Sequence, residues 1–100
     1  MFAQVVQGGT TPELRPDMDR IVNEMLMPAL QDEPGFAGGL NLVDRGTGNG
    51  MMVMLWETEE HANVAPSERG PSFLKALAEI ASISTGNRSP ITTWEVNAKV

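Results

Sequence analysis

The chain has 100 residues, 41% of them hydrophobic, and 13 acidic against 7 basic side chains give a formal charge of −6. That length and apolar content fit one globular domain over residues 1–100, while the acidic balance disfavours nucleic acid and anionic membrane surfaces as partners. Cysteine is absent, which excludes disulfides, thiolate metal sites and a cysteine nucleophile. No apolar run is long enough for a membrane span, and residues 1–9 lack the charged-then-apolar pattern of a signal peptide, so the expected location is cytoplasmic.

Residues 2–7, with Phe2, Val5 and Val6, read as a strand closed by Gly8-Gly9. Thr10, Thr11 and Pro12 then resemble a helix start, a hydroxyl cap followed by proline, although Pro16 leaves the true start open by a turn. Beyond it Leu14, Met18, Ile21, Val22, Met25, Leu26, Ala29 and Leu30 recur at offsets of three and four, the apolar stripe of a helix. Pro28 removes a backbone donor and crowds the Glu24 carbonyl, which predicts a bend or an early end. Pro34-Gly35 turns the chain, and residues 37–44 form a second strand with Leu40 and Leu42 on one face and Asn41 on the other.

The stretch from Asp44 to Gly50 is rich in turn residues and predicts a hairpin. It lies between strands and lacks a lysine-serine ending, so it is not a phosphate loop. Residues 51–56 are an unbroken apolar run of strand length. Thr58 caps a short helix carrying Glu59 and Glu60 in its first turn, where carboxylates suit the helix dipole. A loop over 66–71 leads to a second amphipathic helix from Ser72, with Phe73, Leu74, Leu77, Ile80 and Ile83 as its stripe. Residues 86–90 break it, and 91–98 read as the last strand. Asn87-Arg88-Ser89 matches the glycosylation pattern and, without a secretory signal, reads as chance.

The order strand, helix, strand, strand, helix, strand predicts an α+β, ferredoxin-like βαββαβ sandwich with antiparallel sheet order 4-1-3-2. Strand three would be central, and residues 51–56 offer no polar face. Helices cover only one side of such a sheet, so the other side calls for a second copy: a homodimer packed sheet to sheet.

Candidate chemistry is sparse. His61 is the one histidine; it reads either as a proton acceptor at a pocket mouth or as an ordinary solvated helix residue. With one histidine and no cysteine, no metal site is expected from Glu57, Glu60 and His61, and no metal, haem or flavin cofactor is expected to accompany the protein. Trp56 and Trp94 are either walls for an aromatic ligand or plain core. Met51, Met52 and Met54 make an adaptable surface that suits a flat apolar ligand or an interface equally. Gln4 and Asn41 sit among apolar strand neighbours, so each amide is a ligand contact or half of a structural hydrogen bond. With a single histidine and no glycine-flanked serine, hydrolase chemistry is not expected.

The segment Leu30-Gln31-Asp32-Glu33-Pro34-Gly35-Phe36-Ala37-Gly38, the segment Leu55-Trp56-Glu57-Thr58-Glu59-Glu60 and the closing Thr93-Trp94-Glu95-Val96 resemble the antibiotic-biosynthesis-monooxygenase-like family of dimeric α/β barrels. The resemblance implies a ferredoxin-like fold paired through its sheets. Haem-degrading members carry a histidine ligand on the second long helix, and Phe73 to Ile80 contains none. The polyketide oxygenases surround a phenolic substrate with aromatic and amide side chains including tyrosine; this chain has no tyrosine and matches at Trp56. Two functions are therefore expected: a cofactor-free monooxygenase of an electron-rich aromatic, or a non-catalytic dimeric module that binds a small apolar molecule. In the first, Trp56, Met52, Met54, Gln4 and Trp94 would bind substrate, Asn41 or Gln4 would hold a phenolate, and His61 would assist proton transfer.

Overall fold

A computed structural model describes residues 1–86 and 89–100. Asn87 and Arg88, and with them the glycosylation pattern, lie outside the described residues. Strands β1 (Phe2–Gly9), β2 (Phe36–Val43), β3 (Asn49–Trp56) and β4 (Thr92–Glu95) form one antiparallel sheet in the order β2-β3-β1-β4. This is the predicted order read from the opposite edge. Helices α1 (Arg15–Ile21), α2 (Met27–Gln31), α3 (Glu59–Ala62) and α4 (Pro71–Ile83) complete the fold.

The first long helix departs from expectation at both points where proline intervenes. Helix α1 begins at Arg15, with Pro16 in its first turn, and not at the threonines. Thr10 is committed elsewhere: its N–H bonds the Gly48 carbonyl at 3.0 Å and its Oγ1 donates to the Ile83 carbonyl at 2.5 Å. Thr11 Oγ1 accepts from the Leu14 N–H at 3.2 Å, a turn rather than a cap. Farther along, Val22–Leu26 is a π-helical turn, closed by the Met27 N–H on the Val22 carbonyl. Pro28 has no N–H for the Glu24 carbonyl, and the helix widens ahead of it instead of ending. Widening keeps Met18, Val22, Leu26 and Leu30 on one buried face.

That face packs on Met52, Met54 and Trp56 of β3, with Phe73 and Ala76 of α4 closing the core. Burying each large side chain contributes about 1.5–3 kcal/mol. Strand alternation explains the selection. In the registers Phe2↔Trp56, Gln4↔Met54 and Val6↔Met52, these residues share the helix side. Asn41, opposite Met52, shares it too. The β2–β3 register slips between Phe36 and Gly38, so Ala37 is an extra residue that leaves Phe36 opposite Trp56.

The other face carries Val5, Val53, Leu55, Leu40, Leu42 and Trp94, and no helix among the described residues covers it. Leu40 and Trp94 are each 59% exposed. The apolar run of strand three is thus split, with Met52, Met54 and Trp56 buried and Met51, Val53 and Leu55 half-buried on the open side.

The β2–β3 hairpin is fixed by Asp44, whose Oδ1 accepts from the N–H groups of Gly46 and Thr47 at 2.9 and 3.3 Å. Gly48 follows at φ +83°, and a side chain there would run into the Thr10 carbonyl. Only glycine lets the hairpin lie this close to the β1–α1 link, and that approach carries the hairpin backbone to Arg15.

Candidate functional site

A cavity of about 310 Å³ lies between the helices and the helix-facing side of the sheet, at the small end of the ligand-site range of about 300–1,000 Å³. Its walls are apolar: Met18, Val22 and Leu26 from the first helical stretch, Met52 and Met54 from β3, and Phe73, Leu77 and Ile80 from α4. Polar groups are few, with Arg15 and Asn41 the ones of most chemical consequence. No aspartate, glutamate, histidine or lysine is among the described residues that line it.

Arg15 is 3% exposed, an unusual place for a guanidinium. Its Nε donates to Asp19 Oδ1 at 3.0 Å, one helical turn on, and its Nη1 donates to the Gly48 carbonyl at 3.3 Å. Gly50 makes room for it, since a Cβ there would stand 3.1 Å from Arg15 Nη1. Asp19 also accepts from Arg45 at 2.7 Å. The Arg45 hydrogen bond first, and Arg15 after it, hold the Asp19 carboxyl below its ordinary value, with partial burial opposing. A depressed carboxyl stabilises the fold above its unfolded pKa, and the contribution disappears as pH falls through the folded value. We expect stability to fall as pH drops below about 4, and the Asp19→Asn variant to show a flatter acid limb in urea titrations run against pH. Identical acid limbs would remove the assignment.

Asn41 lines the cavity from β2 and is half-buried; its Nδ2 reaches the Met51 carbonyl only at 3.4 Å. Met52 and Met54 line it as well. The other predicted site residues are elsewhere. Gln4 is used internally: its Oε1 accepts from Trp56 Nε1 at 3.1 Å and its Nε2 donates to the Ala62 carbonyl at 2.5 Å. Trp56 is 0% exposed and does not line the cavity. The Arg69 guanidinium lies 4.0 Å above its ring and Phe36 meets it edge-on at 5.4 Å, so the place of a stacked ligand is taken by Arg69. Trp94 stands on the open face of the sheet, its Nε1 donating to Thr92 Oγ1 at 2.8 Å.

His61 lies outside the cavity on α3. Its Nδ1 is 2.8 Å from Thr58 Oγ1, the hydroxyl that also caps the helix by accepting from the His61 N–H. The ring packs on Gly35, at φ +77°, where a Cβ would collide with it. His61 and Asn41 are therefore not brought into one constellation. Among the described residues no three metal-ligating side chains cluster.

Sequence reasoning passed over Arg15 and Arg69. The signal for Arg15 was its spacing: Arg15, Met18 and Val22 fall at offsets of three and four, on the buried stripe. Arg69 had no such signal. Burial lowers its pKa from the ordinary arginine value, with Glu33, 3.5 Å away, opposing the shift.

No family model and no curated protein matches the chain. Solved structures do. A Nitrosomonas europaea protein named after the antibiotic biosynthesis monooxygenases superposes with a TM-score of 0.78 at 12% identity, over 98% of this chain and 100% of that one. SnoaB of Streptomyces nogalater, a cofactor-independent oxygenase solved as a mutant, gives 0.75 at 13% identity, over 99% and 96%. A Streptomyces coelicolor monooxygenase in complex with nanaomycin D gives 0.77 at 14%, over 99% and 89%. At such identities the likeness is one of fold. The chain has, over its whole length, the ferredoxin-like fold of the antibiotic biosynthesis monooxygenase structures, as the resemblance in its sequence implies.

Proposed function

We propose that this protein binds a small, flat, apolar molecule in the cavity between its helices and sheet, working as a homodimer packed through the open sheet faces. The observation that carries the reading is the cavity itself: apolar walls that include the adaptable Met52 and Met54, with Asn41 and Arg15 as its chief polar groups. Apolar lining with few polar groups is the usual make-up of a small-molecule site. In this reading Asn41 hydrogen-bonds the ligand, Gln4 and Trp56 hold β1, β3 and α3 together beside the site, and Trp94 belongs to the dimer face.

The reaction we infer is cofactor-free oxygenation of an electron-rich aromatic. The lining offers no carboxylate or imidazole to act as general base among the described residues, so in this scheme the substrate loses its proton to water, enters as the anion and itself supplies the electrons. Oxidation of a ring methylene to a carbonyl gives up four electrons to dioxygen; one oxygen atom enters the carbonyl and the other leaves as water. The protein's part is to bind, orient and exclude bulk water. Two proteins of this fold are oxygenases by name. His61, which does not line the cavity, has no role in this scheme.

Aerobic incubation with a panel of hydroxyanthrones and quinols, followed by oxygen uptake and by mass spectra under labelled dioxygen, tests the proposal. Protein-dependent uptake with one labelled oxygen per product supports oxygenation. Saturable binding without uptake leaves the dimeric binding module. Neither binding nor uptake across the panel overturns both.

A further inference from the structure

We propose that Arg15 is the anion-recognition residue of the cavity, and that the ligand is an apolar molecule bearing an ionised oxygen, a phenolate or a carboxylate. The inference rests on the cavity being a ligand site and specifies which chemistry it takes.

A guanidinium that is 97% out of solvent is a costly thing to bury, and the cost is recovered only when its donors find acceptors. Arg15 has two such acceptors, the Asp19 carboxylate on Nε and the Gly48 carbonyl on Nη1. Among the described residues Nη2 has no acceptor, while no side-chain nitrogen or oxygen is sealed away without a partner. Nη2 is therefore not sealed off, and since Arg15 lines the cavity, we place this free donor toward it.

Charge points the same way. Asp19 is shared, with Arg15 on Oδ1 and Arg45 on Oδ2. The Asp19 carboxylate is thus divided between two guanidinium groups, and Arg15 is not its sole cation. Since no other charged side chain lines the cavity among the described residues, an incoming oxyanion meets one cation in the lining, with Asp19 behind it on Nε. The planar fork of arginine suits a carboxylate through paired N–H bonds and a phenolate through one. Asn41, on the same helix-facing side of the sheet, offers an amide for a second oxygen. The remaining lining is apolar, so the rest of the ligand is hydrocarbon.

The backbone is arranged around this side chain. Gly50 leaves room at Nη1, and Gly48 presents its carbonyl because its own left-handed φ turns the hairpin back on Thr10. Arg15 is thus held in one orientation, so an anion does not have to order it on binding.

Calorimetric titration at neutral pH with matched probes tests the assignment: naphthoate against methyl naphthoate for the carboxylate, and nitrophenol against nitroanisole for the phenolate. The parent should bind at least one anion about tenfold or more tighter than its neutral partner, and the stronger arm identifies the oxyanion. Arg15→Gln should abolish that preference while methyl naphthoate binds as before. Equal affinity of the parent for anion and neutral probe in both arms overturns the role of Arg15 while leaving the cavity a ligand site. Failure of all four probes to bind the parent overturns the cavity reading as well. Should Arg15→Gln fail to fold, the parent's preference, or lack of it, decides the matter without a variant.

Discussion

Replacing Arg69 with alanine is expected to cost the folded chain about 3–5 kcal/mol, the scale for breaking one side of a buried ion pair. Few single side chains here hold as much together. The guanidinium covers the buried Trp56 ring at 4.0 Å, donates from Nη2 to the carbonyls of His61 and Ala62 at 3.0 and 3.3 Å, and faces Glu33 from Nη1 at 3.5 Å. Alanine would leave Glu33, whose side chain is 12% exposed, without its cation. It would also open a void over the tryptophan and strip a donor from the end of α3. Against a typical domain stability of about 5–15 kcal/mol, such a loss is a large fraction of the total. The joint variant Glu33→Gln/Arg69→Met should lose much less, because it removes both charges and refills the space. Urea unfolding of the three proteins measures this directly; an Arg69→Ala midpoint close to the parent's would show that the latch contributes little.

The second large effect is expected on the open sheet face. Val53 lies on the central strand β3, opposite Val5 on β1 and Leu40 on β2, with the half-buried Leu55 two residues on. In a sheet-to-sheet dimer a glutamate at position 53 would be buried without a partner in both copies. Val53→Glu should then raise the dimer dissociation constant by at least about 10²-fold. The same side chain faces solvent in an isolated chain, so the far-UV spectrum should persist. Sedimentation over a concentration series reads the outcome. A parent that stays monomeric throughout, or a variant that dimerises as the parent does, contradicts pairing through this face.

Much of the fold was legible because local signals agreed with one another. Glycine and proline punctuation separated the elements, and Thr58 was read as the cap it is. The alternation around Leu40, Asn41 and Leu42 placed the amide and the leucines on opposite faces. The start of α1 stayed open by a turn because Thr10 has long-range partners, Gly48 and Ile83, that no local pattern reveals. Pro28 predicted a bend or an early end, and the widened turn was not foreseen; packing of Leu26 and Leu30 into the core favours continuation.

The site was legible only in its walls. Met52 and Met54 follow from strand alternation, and Asn41 from its neighbours. Trp56 read as either a ligand wall or plain core, and only the family resemblance gave it a substrate role. What fills the space over it, Arg69, comes from a loop thirteen residues on whose path is a tertiary fact. Arg15 was passed over because its burial depends on Asp19, Gly48 and Gly50 converging on it.

The central claim is that the space between helices and sheet receives an apolar ligand, and the seven methionines provide the most direct test. Met18, Met52 and Met54 line the cavity from the helix side, Met51 carries its side chain on the open face of the sheet, and Met1, Met25 and Met27 do not line the cavity. With methionine methyl groups isotopically labelled, titration of a hydroxyanthrone or naphthoate probe followed by NMR should move the Met18, Met52 and Met54 signals together and saturably, leaving Met1 and Met27 in place. Shifts confined to Met51 with the Trp94 indole would put the ligand on the open sheet face and contradict the account, as would a spectrum that the probes do not change.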